Sequence, residues 1–154
     1  FGAGGVAGLQ LAPLGQLTRL HASGIGLGST HALKGSAGGA LEHLELERNG
    51  LSELSGLASM RKLQELQLGW NELAAAALPA LRGLAALATL RLEGNRLESL
   101  RGLPPLPRLQ ELHVAQNRLA DLDGLAGGGG CGGGERGDGR GGAGSGRGRG
   151  ERSG

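Results

Sequence analysis

LEHLELERNGLSELSGL, running from Leu41 to Leu57, places leucine at its first, fourth, sixth and eleventh positions and asparagine at its ninth. The same order returns as Leu63, Leu66, Leu68, Asn71 and Leu73, then as Leu87, Leu90, Leu92, Asn95 and Leu97. It returns once more as Leu109, Leu112, Val114, Asn117 and Leu119. Further leucines follow at every third residue: Leu54 and Leu57, Leu100 and Leu103, Leu122 and Leu125. The copies open 22, 24 and 22 residues apart. A worn copy lies upstream at Leu17, Leu20, Ala22, Leu27 and Leu33, where Ile25 takes the place of the asparagine. Leu9, Leu11 and Leu14 look like the back half of a still earlier one. Internal repetition at this period decides the fold.

Each part of the copy has a physical reading. The alternation at Leu44 and Leu46 describes a strand with one buried face. The asparagine that follows is small, tolerates a tight turn and is expected to bond backbone groups of the next coil. Leucine at every third position suits a 3₁₀-like or irregular return, where residues three apart align. Ala75 to Leu81, with Pro79 inside it, reads as a short helical turn in the 24-residue copy. Coils of this kind stack into an α/β solenoid, with a parallel sheet on the concave face, returns on the other side and leucine between them.

The pattern divides the chain of 154 residues into a partial or degenerate N-terminal repeat, 1–16, a domain of about five repeats, 17–126, and a tail, 127–154. Glycine supplies 34 residues and aromatics only 1%, a composition that a layered leucine core tolerates better than a single compact one does. The domain is neutral, with eleven basic and eleven acidic residues, so the whole net charge of +2 sits in the tail. That tail has no large apolar side chain to offset about 1–2 kcal/mol of backbone ordering per residue, and is expected to be disordered. Its Arg-Gly pairs at Arg136, Arg140, Arg147 and Arg149 suggest an alternative role, a ribonucleoprotein adaptor whose tail touches RNA. No Phe or Tyr is interleaved there for base stacking.

Cys131 is the lone cysteine, which rules out a disulfide within the chain and favours a reducing, cytoplasmic setting, with the nucleus left open. No apolar stretch is long enough to span a bilayer as a helix. The opening on Phe1 rather than Met suggests a fragment of a longer protein.

The residues quoted above resemble the leucine-rich-repeat superfamily. Their 22-residue periods are similar to the subfamily that holds the protein phosphatase 1 regulatory repeat protein, the outer-arm dynein light chain and the A-prime subunit of a spliceosomal ribonucleoprotein. The resemblance covers Leu17 to Leu125. It implies a protein-binding scaffold in a cytoskeletal, ciliary or phosphatase-regulatory setting, with no cofactor and no enzymatic activity.

The register names the residues that face away from the core. The second offset after each leading leucine carries Arg19, His43, Glu65, Thr89 and Glu111, and the fourth carries His21, Glu45, Gln67, Arg91 and His113. The sixth carries Ser23, Glu47, Gly69, Glu93 and Ala115. Five glutamates stand there against two arginines, a mildly acidic face suited to a basic or amphipathic protein segment. Trp70, beside Gly69, is either a filler for the gap above that glycine or an exposed anchor, and interfaces favour tryptophan. Trp70, Glu45, Glu47, Glu65, Gln67, Arg91, Glu93, Glu111 and His113 are therefore the candidate binding residues. Asn49, Asn71, Asn95 and Asn117 are expected to be structural turns. Paired carboxylates such as Glu45 and Glu47 lack the closed site that acid–base catalysis needs. His21 and His43, without a third ligand, make a poor zinc site, so no metal is expected. GIGLGST, Gly24 to Thr30, lacks the spacing of a phosphate loop.

Overall fold

The computed structural model describes residues 16–33 and 39–120. The partial repeat over 1–15, the leucines at 122 and 125, and the tail over 127–154 lie outside the described residues. Within them the chain is α/β. Five short strands, β1 (Arg19–His21), β2 (His43–Glu45), β3 (Glu65–Gln67), β4 (Thr89–Arg91) and β5 (Glu111–His113), form one sheet in chain order. Every neighbouring pair is parallel, and the register never slips: Leu20, Leu44, Leu66, Leu90 and Leu112 stand side by side.

Strands of three residues bury too little to be stable alone, so the returns must supply the rest. They do so with leucine. Leu44, Leu66 and Leu90 from the strands meet Leu54, Leu57, Leu78, Leu81 and Leu100 from the returns, all essentially solvent-free. The returns include 3₁₀ helices at Thr30–Leu33, Ser55–Leu57 and Ala75–Leu81, the last carrying Pro79 as expected. At β5 this packing thins, and Leu109, Leu112 and Val114 are only half-buried.

Consecutive units are joined by the asparagines. The Asn71 amide oxygen accepts from the backbone N–H of Asn49 and of Leu51, both at 3.0 Å, while its Nδ2 donates to the Leu46 carbonyl at 3.0 Å. Asn49 repeats this on Ile25, Leu27 and Ala22. Asn95 bonds Leu73 and Leu68, and Asn117 bonds Leu97 and Leu92. All these inter-unit partners belong to the preceding unit, not to the following one as the sequence reading expected. The reason is geometric: the exit turn of each unit leaves its N–H groups pointing toward the strand that comes after it. Asn49, Asn71 and Asn95 are buried and Asn117 is half-buried.

The residue just before each of these asparagines has a left-handed backbone. Arg48, Trp70, Gly94 and Gln116 have φ of 56°, 57°, 66° and 55°, and Gly24 occupies the equivalent place in the first unit with φ 70°. Glycine adopts this conformation without steric cost, whereas arginine, tryptophan and glutamine do so at some cost. One buried polar group was not foreseen. Thr30 donates its hydroxyl to the Glu53 carbonyl and accepts from the Gly56 N–H at 3.2 Å. A Cβ at Gly56 would fall 1.8 Å from the Thr30 carbonyl oxygen, so only glycine fits there.

Asn95→Ala strands the Leu73 N–H and the Leu68 carbonyl and is expected to cost about 1–3 kcal/mol. Asn117→Ala, in a half-buried place where water substitutes, is expected to cost less. Leu66→Ala or Leu90→Ala opens a cavity at a solvent-free position and is expected to cost about 2–5 kcal/mol. Urea midpoints of the four variants give the ranking, and a neutral Asn95→Ala would contradict the role assigned to it.

Candidate functional site

A strand sends alternate side chains to opposite faces, so burying Leu44, Leu66 and Leu90 turns their neighbours outward. Because the register is unbroken, those neighbours form straight columns. Arg19, His43, Glu65, Thr89 and Glu111 make one, and His21, Glu45, Gln67, Arg91 and His113 make another. The ladder continues past the strands, with Arg48 N–H donating to Gly69 and Trp70 N–H to Glu93. The sixth-offset residues Glu47, Gly69 and Glu93 thereby extend the same face.

Four of the five glutamates of this face lie against histidines. His21 Nδ1 lies 2.6 Å from Glu45, which also accepts from the Ser23 hydroxyl at 3.1 Å. His43 Nδ1 lies 3.1 Å from Glu65, which accepts from Gln67 Nε2 at 2.7 Å. His113 sits 3.7 Å from Glu93 and 3.6 Å from Glu111. These histidines were assigned to the face from the sequence, but their pairing with the glutamates was not read from it. The sign was present: His21 and Glu45 share one offset in adjacent copies, and His43 and Glu65 share another. Around them Arg19, His21, His43, Leu44, Glu45, Glu65 and Gln67 line a shallow depression of ≈ 270 Å³. Ser23 bonds to the carboxylate and not to an imidazole, so the cluster offers hydrogen-bonding groups without an aligned nucleophile.

Glu65 is held below its ordinary pKa of 4.5, first by the hydrogen bond from His43 and then by that from Gln67, with partial burial opposing both. Away from this face, Glu53 is lowered as well, by hydrogen bonds from Ser29 and Ser55.

Trp70 stands just beyond β3 and is 49% exposed. It does not fill the gap above Gly69. The Glu47 carboxylate lies over that glycine instead, 3.3 Å from where a Cβ would be. The ring rests against Gly94 of the next unit, where an added Cβ would come within 2.7 Å of it. On Trp70 the guanidinium of Arg48 stands 5.7 Å from the ring centroid. The tryptophan is thus cradled by the missing side chain of one neighbour and stacked by the cation of another.

Among the described residues no helix is long and apolar enough to cross a membrane, and no three His, Cys, Asp or Glu side chains converge as metal ligands would. A scan of the chain against models of protein families finds no match, and a search of the curated proteins finds no relative.

A carboxylate with a depressed folded-state pKa stabilises the fold fully above its unfolded value and loses that contribution as pH falls through the folded one. The Glu65 contribution is therefore complete at neutral pH and is lost progressively as pH falls below 4.5 and through the lowered folded-state value. Glu65→Gln is expected to lose less stability than the parent chain on acidification from neutral pH to well below the ordinary carboxylate range. Urea midpoints at the two extremes test this, and parallel losses in both proteins would contradict it.

Proposed function

We propose that this chain is a leucine-rich-repeat solenoid acting as a non-catalytic scaffold, and that it binds a segment of a partner protein along the polar face of its sheet. The observation that carries the reading is the unbroken five-strand register. It lays polar side chains in straight columns at a spacing of about 4.8 Å, and a half-exposed tryptophan stands at their edge. An extended or helical segment lying across such columns meets a fixed series of donors and acceptors without ordering the surface first, which keeps the entropic cost of binding low.

Trp70 serves as the anchor, supplying apolar area, and the glutamates orient a basic or amphipathic segment. The repeat spacing and the subfamily it resembles favour a cytoplasmic scaffold in a cytoskeletal or ciliary assembly. The lone Cys131 agrees with a reducing compartment.

The test is a pair of measurements on Trp70→Ala, using a partner recovered by affinity capture from cell extract. Partner affinity is expected to fall at least about tenfold, with unfolding stability changed by under about 1 kcal/mol. Unchanged affinity in a folded variant would remove the anchor. A large loss of stability would make the ring a packing element instead.

A further inference from the structure

β5 is the last strand of the sheet, and its outer edge carries backbone groups whose counterparts are bonded in the earlier units. The Glu42, Gln64 and Ala88 carbonyls each accept two N–H groups of the following unit, and the Leu46, Leu68 and Leu92 N–H groups each donate to it. The corresponding groups beyond β4, the Gln110 carbonyl and the Val114 N–H, meet no partner among the described residues. The Leu112 backbone lies on the same edge, because successive residues of a strand bond to opposite sides and Glu111 and His113 bond toward β4. The layer behind this edge is open too: Leu109, Leu112 and Val114 are half-buried where Leu87, Leu90 and Leu92 are wholly covered.

The sequence that follows does not continue the layer. Leu122 and Leu125 stand 13 and 16 residues after Leu109, as Leu54 and Leu57 do after Leu41, so by spacing they belong to the unit of β5 itself. A further unit would open 22 to 24 residues after Leu109, yet Gly127 to Gly154 holds no Leu, Ile, Val, Met or aromatic residue. An open strand edge with an apolar layer behind it is a template for another strand.

We propose that β5 pairs with β5 of a second copy of this chain, antiparallel about a two-fold axis at Leu112, so that one sheet runs through both. The edge is self-complementary about that residue. Gln110 and Val114 stand two residues to either side, so each Val114 N–H meets the Gln110 carbonyl of the other copy, and the two Leu112 residues exchange a pair of bonds. Glu111 and His113 stand one residue to either side on the polar face, which sets each glutamate opposite the histidine of the other copy. Neighbouring strands of this face already pair in that way at His21 and Glu45 and at His43 and Glu65. His113 has room for such a bond, since its nearest carboxylates lie 3.6 and 3.7 Å away, against 2.6 and 3.1 Å at His21 and His43. Parallel docking of β5 on the β1 edge of another copy matches Glu111 to Arg19 but sets His113 against His21, one match in place of two, and it builds open chains where the two-fold contact closes.

Sedimentation equilibrium of the full chain, with reductant present so that Cys131 cannot link copies, tests the pairing. A reversible monomer–dimer equilibrium is expected. His113→Glu, which sets two glutamates across the axis, is expected to weaken the dimer at least about tenfold, and Glu111→Lys added to it to restore the dimer. Val114→Pro removes an N–H on the outer edge, where proline is tolerated, and is expected to weaken the dimer by a similar factor. Urea midpoints of the variants report whether each is folded, and if Val114→Pro is not, the loss and restoration in the charge pair decide alone. A chain that stays monomeric at every concentration would overturn the proposal. So would assemblies that grow beyond two copies, or a dimer indifferent to His113→Glu.

Discussion

One side-chain amide bond pattern holds the successive units together. Asn49, Asn71, Asn95 and Asn117 each accept backbone N–H groups from the exit turn of the unit before and donate to one of its carbonyls. A turn that leaves a sheet strands polar backbone groups inside the protein, where each unmade bond is expensive. The asparagine is a side chain short enough to stay buried and equipped with both donor and acceptor. Without it the leucines would still collapse, but nothing would fix how far one unit lies from the next. Register, and with it the columns of the polar face, depends on this clamp.

The clamp also dictates what may precede it. To bring the asparagine inward the chain turns left-handed one residue earlier, at Arg48, Trp70, Gly94 and Gln116. Glycine at that place relieves strain, and at Gly94 it also opens a flat bed for the ring of Trp70. Tryptophan at that place is neither sterically favoured nor buried. Leu109, Leu112 and Val114 around β5 are half-buried as well, packed against the edge of the leucine layer.

The polar face has an internal logic of charge. Three histidines lie against glutamates, so those carboxylates are already engaged within the face. What stands apart from those pairs is uneven: Glu47 over Gly69, Arg48 on the tryptophan, and Arg91, whose Nε has no hydrogen-bond acceptor among the described residues. A surface of that kind discriminates by the position of charge and not by its total, since each unmatched group penalises a segment that fails to complement it.

The number of strands, their parallel order and the leucine layer were legible in the spacing of Leu41, Leu44 and Leu46 and its copies, because a period of two within a period of 22–24 residues admits few packings. The outward columns were legible too, since strand alternation is local. Three things were not. The asparagines reach backward because the direction of a turn's free N–H groups is a property of folded backbone. The pairing of His21, His43 and His113 with glutamates depends on rotamers chosen in competition between strands. The ring of Trp70 lies on Gly94 and not over Gly69, because the left-handed turn at residue 70 swings it toward the next unit. Periodicity determines which face a residue occupies, whereas its partner there is set by contacts between segments more than twenty residues apart, which only the tertiary structure decides.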